Sequence, residues 1–454
     1  MQEKVVAIST AGIDAGTTIV RGKVVRSKWA YNVLTFLMVF GPGLIVMEAD
    51  NDAGAVSTYI QAGAQYGTKL LWLLLLLLPT AYFIQEMVVR LGIVTGKGHA
   101  AMIYQRFGKW WGVFSLVDLE LVNFLTLVTE FAAIALAVQH MGISPYLGVP
   151  VAAAGLVLMA VTGSYLRWER ITVFFCLLDL TWLVIAFRLR PGFGQIARDT
   201  LVPTIPAGGI SGNLMFLVIA IVGTTIAPWQ LFFQQSCIAD KRLRFSDLKW
   251  ARLDTLLGAV FTIIVAGCMM LAGNAALERG INFADPAQMA NALHLVTGSE
   301  WLRHAILLLM INAAILGTTA ISLSSAWAYG EVKGWPHSLQ MPFKQARGFY
   351  ATYGICVAAA AGIVLIPRAP LQLIILGVQV LAGIMLPSAI IFLQLLLNDK
   401  ELMGEQHVNK PWNNWVNWTI IIVLFALSLI LAAQVVAPNL FAGVPAAPAS
   451  GVVG

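Results

Sequence analysis

The stretch Met47-Glu48-Ala49-Asp50-Asn51-Asp52-Ala53-Gly54-Ala55 places three acids, an amide and a glycine inside an otherwise apolar run. That run opens with Gly41-Pro42-Gly43 and continues past Ile60. Ionisable groups at membrane depth cost about 2–3 kcal/mol or more each, so they face a wet cavity or a partner. Carboxylates are hard oxygen donors, suited to Mg²⁺, Ca²⁺ or Mn²⁺. A broken helix at that depth is tolerated where its freed backbone lines a cavity. The stretch therefore reads as a substrate or ion site within the membrane. Glu48, Asp50, Asn51 and Asp52 are its candidate polar groups.

A second interruption falls at Ile221-Val222-Gly223-Thr224-Thr225-Ile226-Ala227-Pro228-Trp229-Gln230. Pro228 lacks a backbone donor and clashes with the preceding turn, while Gly223 loosens the helix before it. Gln230, Gln234 and Gln235 follow the break as polar candidates, with Gly223 and Trp229 flanking it. Glu120, Asn123, Thr126 and Glu130 recur at three- and four-residue spacing and share one helix face. That face reads either as a path lining or as a structural hydrogen-bond stripe.

The elements that must position these groups are membrane spans. Of 454 residues, 59% are hydrophobic and 11% charged, with mean hydropathy +0.80. This places the chain among polytopic helical membrane proteins. Apolar runs fall near 33–62, 68–92, 111–139, 145–166, 171–189, 211–239, 252–275, 301–329, 348–367, 371–397 and 413–436, about eleven spans. The formal charge of +6 would suggest nucleic acid in a soluble protein, but here its distribution over loops matters more, and no nucleic-acid partner is expected. Most of the 28 Lys and Arg sit in the N-terminal segment and in alternate loops. By the positive-inside rule the N-terminus is cytoplasmic and the C-terminus outside, in a multi-pass protein of the plasma (inner) membrane.

Spans one and six are both interrupted near the middle, five spans apart. Matching interruptions in two halves point to a transporter with inverted repeats and a site near the midplane. The expected organisation is a cytosolic tail (1–32), a first five-helix repeat (33–190), a second inverted one (211–397), a loop with an eleventh helix (398–437) and an extracellular tail (438–454). Cys176, Cys237, Cys268 and Cys356 lie in or beside apolar segments without metal-ligand spacing and read as core residues. No cleavable signal peptide is visible. Glu86, Asp118 and Asp179 read as partners in interhelical hydrogen bonds, and the six histidines share no ligand spacing.

At the two breaks the sequence resembles the natural resistance-associated macrophage protein family of divalent metal transporters. Gly41-Pro42-Gly43 and Gln61-Ala62-Gly63-Ala64-Gln65-Tyr66-Gly67 look like the flanks of that family's first span. Arg90-Leu91-Gly92-Ile93-Val94-Thr95-Gly96-Lys97-Gly98 looks like the end of its second. Gln379-Val380, Leu386-Pro387-Ser388-Ala389-Ile390-Ile391 and Asp399-Lys400-Glu401-Leu402-Met403-Gly404 look like its tenth span and following loop. The resemblance implies an all-α, LeuT-like fold of about eleven transmembrane helices, with two inverted five-helix repeats and broken helices 1 and 6.

The departures are as informative. Where the family carries D-P-G-N, this chain reads Asp52-Ala53-Gly54-Ala55, so the Asp is kept and the Asn is gone. Where it carries A-T-V-M-P-H-N, this chain reads Thr224-Thr225-Ile226-Ala227-Pro228-Trp229-Gln230, which replaces the ligating Met and the His linked to proton coupling. The family's D-L-A-E is Leu127-Val128-Thr129-Glu130 here, and a ninth-span arginine falls on Thr352. A thioether is a soft ligand that selects transition metals. Its loss, with that of the Asn, implies a larger and wetter site for a partly hydrated hard ion.

Mg²⁺ dehydrates reluctantly and is held through waters by one or two carboxylates. The expected metal site is Asp52, the carbonyls at Gly54 and Thr224, Ala55 and Ala227 where direct ligands are missing, and Gln379. The pattern resembles the magnesium-transporting branch of the family. Mg²⁺ is the expected cargo, with Mn²⁺ as a second candidate and no cofactor; one chain suffices. Three expected participants in proton coupling are replaced, so transport is expected to be uncoupled. The alternatives are a proton-coupled Mn²⁺ or Fe²⁺ carrier and a sodium-coupled carrier of an organic substrate. An enzyme is disfavoured, because no nucleotide loop, H-E-x-x-H or nucleophile elbow is present.

Overall fold

A computed structural model describes residues 18–20, 23–25, 28–189, 192–206, 209, 211–367 and 370–436. The tail 438–454 and most of the N-terminal segment, with Lys4, Arg21 and Arg26, lie outside the described residues. Apart from a short antiparallel hairpin, Thr18–Val20 with Lys23–Val25, the described chain is helical.

Span 1 is two helices, Pro42–Glu48 and Ala53–Tyr66. Spans 2, 3 and 4 are Leu71–Thr95, Lys109–His140 and Pro145–Ala160. Span 5 is Tyr165–Leu178 with Thr181–Arg188. Span 6 is Gly212–Thr225 with Pro228–Lys241. Spans 7 to 10 are Leu248–Glu278, Glu300–Lys333, Arg347–Val364 and Leu371–Leu397, and Pro411–Val436 is span 11. Among the described residues nine helical segments are long and apolar enough to cross a membrane. Span 4 is shorter, at 16 residues, and span 1 is split into pieces of 7 and 14 residues.

Three boundaries differ from expectation. The apolar run from 33 is not one element: Lys28–Val39 is a separate helix, and span 1 starts at Pro42. The reason is Gly41, whose φ of 134° is open to glycine and strained for other residues, followed by a proline that begins the next helix. The run 145–166 ends earlier, at Ala160, and the next span starts at Tyr165 instead of 171. That span also breaks at Asp179-Leu180, an interruption carrying neither glycine nor proline.

Span 7 packs along both halves of span 1. The approach is backbone to backbone, made possible by glycines. A Cβ on Gly43 would lie 2.5 Å from the Thr255 N, and one on Gly63 1.9 Å from the Met270 O. Gly258 and Gly273 meet Gly43 and Ile60 in the same way from the other side. Large apolar side chains on the outer faces of spans 4, 5, 9 and 11, including Leu158, Phe174, Ile355 and Ile422, are exposed. They form a surface suited to lipid, while spans 1, 3, 6, 8 and 10 meet in the interior.

Candidate metal site

The two breaks are built by different local means. In span 1 the first helix ends at Glu48, and Asp52 caps the second, its carboxylate accepting the Ala55 N–H at 2.8 Å. An acid at a helix N-terminus satisfies an orphan donor and meets the positive end of the helix dipole. In span 6 the chain is extended at Ile226 and Ala227, and Pro228 opens the second helix. Ala227 has no side-chain acceptor, so the cap is one-sided: the Gln230 Oε1 accepts the Ala227 N–H at 3.1 Å. The Tyr59 hydroxyl ties the second helix of span 1 to the break of span 6, 2.7 Å from the Thr225 Oγ1, which itself donates to the Ile221 carbonyl at 2.5 Å.

Around Asp52 the packing is tight. The Glu130 Oε2 on span 3 accepts the Ala53 N–H at 3.1 Å. A Cβ on Gly317 of span 8 would stand 2.8 Å from the Glu130 carboxyl carbon and 2.9 Å from the Asp52 Cβ. The two acids therefore share one small space, roofed by a glycine. On the other side, a Cβ on Gly54 would fall 1.6 Å from the Gln379 Nε2, and one on Gly223 2.1 Å from the Gln379 carbonyl oxygen. Gln379 thus wedges between the two broken spans, its side chain against one and its backbone against the other.

The remaining candidates separate into groups. Asp52, Gly54, Ala55, Gly223, Thr224, Ala227 and Gln379 are all buried at the breaks. Asp50 is also there, with both carboxylate oxygens buried and unpartnered among the described residues; the Thr224 hydroxyl and the Gln379 Nε2 are unpartnered too. Glu48 accepts from Asn51 and Thr262, each at 3.1 Å, and faces Asp179 at the unexpected break in span 5. Gln230 faces Asp50 and accepts from Gln85 at 3.2 Å. Trp229 is fully buried against Phe233, with its carbonyl accepting from Ser324 at 3.2 Å, and forms a wall.

Other candidates turn elsewhere. Gln234 donates to Thr255 on span 7, at 3.0 Å, and Gln235 to the Lys97 carbonyl at 2.9 Å. The Thr126 hydroxyl bonds its own helix at the Val122 carbonyl. Asn123 donates to Ser325 at 2.9 Å. Glu120, ten residues before Glu130, lies about 15 Å away along span 3, from the 1.5 Å rise per residue. Thr352 also back-bonds its own helix, at the Gly348 carbonyl, and Leu127 is buried in the core. Among the described residues no three His, Cys, Asp or Glu are grouped to hold a metal. A metal bound here would have one or two carboxylates, with carbonyl, hydroxyl and amide oxygens, as its protein ligands.

Sequence reasoning missed the clamp on the entry to span 1. The Asp254 carboxylate on span 7 accepts the N–H groups of Gly41, Gly43 and Leu44 at 3.2, 2.7 and 3.2 Å. Lys241, at the end of span 6, donates to the carbonyls of Val39 and Phe40 and to Glu169 at 2.6 Å. The available signal was that a helix opening on Gly-Pro-Gly has exposed donors and no capping side chain of its own.

Two five-span halves, each opening on a broken helix, with buried oxygen groups between the breaks, define a secondary-transporter fold. Residues 43–434 match the family described as natural resistance-associated macrophage protein-like, and the chain belongs to that family. Similar relatives include the divalent metal cation transporters MntH of Latilactobacillus sakei and Staphylococcus aureus (strain RF122 / ET3-1). The first is 26% identical over 424 residues, covering 88% of this chain and 90% of its own length. The second is 26% identical over 427 residues, covering 89% and 92%. Among solved structures, the Eremococcus coleocola manganese transporter superposes with a TM-score of 0.74 at 20% identity, over 91% of this chain and 90% of that one. MhsT, solved with L-phenylalanine, superposes with a TM-score of 0.54 at 13% identity, over 87% and 98%. Both share the fold.

Proposed function

We propose that this chain is a transporter of divalent metal ions whose principal cargo is Mg²⁺, bound partly hydrated between the breaks of spans 1 and 6. The supporting observation is the pairing of Asp52 with Glu130 beside two alanines. Ala55 and Ala227 bring no side-chain ligand, while the Asp50 carboxylate and the Thr224 hydroxyl are buried without a hydrogen bond among the described residues, and the unpartnered Gln379 Nε2 is a donor suited to a water held by the ion. Two ionised carboxylates side by side repel, and a divalent cation between them offsets that repulsion. Hard oxygen ligands with retained waters suit Mg²⁺, and the absence of a thioether removes the usual preference for a softer ion.

Transport runs without an obligatory proton. Leu127, Trp229 and Thr352 carry no ionisable group, and Thr352 and Leu127 lie in contacts of their own helix or core. A divalent cation gains about 4.6 kcal/mol per 100 mV on moving to a negative interior, so the membrane potential suffices for uptake. The bias of Lys and Arg toward alternate loops supports a cytoplasmic N-terminus and an outside C-terminus, in a protein proposed to lie in the plasma membrane.

The deciding experiment is Mg²⁺ flux into proteoliposomes under a potassium-diffusion potential. Uptake by the parent, lost in Asp52→Ala and not accompanied by lumenal acidification, is the expected result. A pH gradient that alone drives Mg²⁺ inward overturns the uncoupled reading. A second reading, a proton-coupled Mn²⁺ carrier, is favoured by the manganese transporter that shares the fold and by the retained Glu130. Tight Cd²⁺ competition would support it, because Cd²⁺ favours soft ligands.

A further inference from the structure

On the face that carries the basic loops, a cavity of about 600 Å³ opens between span 2, the start of span 7, the loop before span 11 and the start of span 11 itself. It is separate from the broken spans. Its charge is unbalanced: Arg90, Arg252 and Lys410 line it against the single carboxylate of Glu86. The Arg252 Nε and Nη2 both donate to the Glu86 Oε1, at 3.0 and 2.6 Å. Arg90 donates to the Glu86 Oε2 at 3.2 Å, the His407 carbonyl at 2.8 Å and the Asn409 Oδ1 at 2.7 Å. One carboxylate thus serves two guanidinium groups.

Three cations against one carboxylate leave two positive charges in excess. The Arg90 side chain is 8% exposed, and its Nε is buried and unpartnered among the described residues. Arg252 is 42% exposed, and the Lys410 ammonium makes no ion pair or hydrogen bond among the described residues. A buried guanidinium donor with no partner points to an anionic ligand, and Arg is suited to phosphate oxygens.

The walls say which anion. Trp412 lines the cavity half exposed, with Phe83 edge-on at a ring separation of 5.6 Å. Trp415 and Trp418 continue the exposed row along span 11. Tryptophans in such a row sit at the level of lipid headgroups. A soluble phosphate would use the cations and leave the aromatic row idle. We propose that this cavity holds the phosphodiester headgroup of an anionic phospholipid, with its acyl chains along Phe83 and the tryptophans of span 11. Basic pockets between spans on the cytoplasmic side are suited to that role. Arg252 is two residues from Asp254, so the lipid would brace the helix that holds the entry to span 1.

Native mass spectrometry of the purified chain with added phosphatidylglycerol or phosphatidylcholine tests this. The parent is expected to retain phosphatidylglycerol in preference. The double variant Arg252→Ala with Lys410→Ala should lose that preference by about tenfold or more. Arg252→Lys with Lys410→Arg should keep it. Lys249→Ala should also keep it, because Lys249 stacks on Trp250 at 4.6 Å and does not line the cavity. If the double alanine variant does not fold, Lys410→Glu alone reads the same preference. Equal retention of the two lipids, or no change in the charge-removing variants, overturns the proposal. Displacement of phosphatidylglycerol by excess inorganic phosphate also overturns it, in favour of a soluble anion.

Discussion

At the scale of single residues, the proposed metal site rests as much on missing side chains as on the acids. Gly54 and Gly317 are the clearest cases, since each gives its space to a functional neighbour, Gln379 or the Asp52–Glu130 pair. Gly54→Ala drives a methyl into the Gln379 amide. The expected outcome is a loss of about 1–3 kcal/mol of stability, read as a lower melting temperature in detergent, with Mg²⁺ flux falling as Gln379 is displaced. Gly383→Ala is the milder case, because its Cβ would stand 3.0 Å from the Ile219 carbonyl oxygen, a tight contact that asks for a shift of a few tenths of an ångström. Ala227 tests selectivity. Ala227→Met puts a thioether into the break of span 6, and Cd²⁺ should then compete with Mg²⁺ at least about tenfold better than in the parent. Unchanged Cd²⁺ competition, with the variant still folded, would place the bound ion away from residue 227.

At the scale of elements, what moves is set by how the ends of the broken spans are held. The start of span 1 hangs on Asp254 and on the Lys241–Glu169 pair, whose side chains are only 7% and 9% exposed. Removing one member of a buried pair leaves the other charge uncompensated, at a cost of about 3–5 kcal/mol. Lys241→Ala is therefore expected to loosen Lys28–Val39 from the end of span 6. Faster hydrogen exchange across residues 39–45, relative to the parent, checks this. On the opposite face the short helix Phe193–Leu201 straps the turn between spans 1 and 2. Asp199 there bonds the Thr68 hydroxyl at 2.5 Å and the Lys69 ammonium at 2.8 Å. Burial pushes the Asp199 carboxyl up, but the Lys69 and Thr68 bonds outweigh it and hold the group below the usual carboxylate range. A depressed folded-state pKa gives stability that is present above the unfolded value, about 3.9, and is lost as pH falls through the folded one. The strap should stay closed at neutral pH and open only in strong acid. Hydrogen exchange of residues 193–201 along a descending pH series measures it, and opening already near pH 6 would contradict the assignment.

At the scale of the whole molecule, every group at the two breaks is buried in this conformation: Asp52 and Gln379 are each 2% exposed, and Asp50 and Thr224 each 1%. On the proposed reading, release of an ion would need the span ends to part, with the clamp at Gly41–Leu44 on one side and the strap at Lys69–Asp199 on the other. For an uncoupled carrier the steady accumulation of Mg²⁺ follows the membrane potential alone. Accumulation should rise about a thousandfold for each 90 mV of interior-negative potential, from about 2.3 kcal/mol per charge per 100 mV. A proteoliposome series with graded potassium potentials reads that slope, and a slope that changes with pH would show a coupled proton.

Much of this was legible in the sequence, because membranes make polar groups conspicuous. Glu48, Asp50 and Asp52 stand out in an apolar run, Pro228 breaks another, and the five-span offset between them implies the repeat. Helix periodicity also put Glu120, Asn123 and Glu130 on one face, though only Glu130 reaches the break. What one-dimensional spacing cannot express is distance across the bundle. The roles of Gly317, Tyr59, Thr225, Asp254 and Lys241 exist only where spans 1, 6, 7 and 8 are folded against each other. The same limit hid the break at Asp179, which no glycine or proline announces and where that acid faces Glu48. Composition and pattern alone determined that this chain is a membrane bundle with two broken spans and acids at one of them, because the bilayer penalises any other use of such residues. Only the tertiary structure decided which acids meet, which glycines leave them room and which donors hold the helix ends, because those are contacts between elements far apart in the chain.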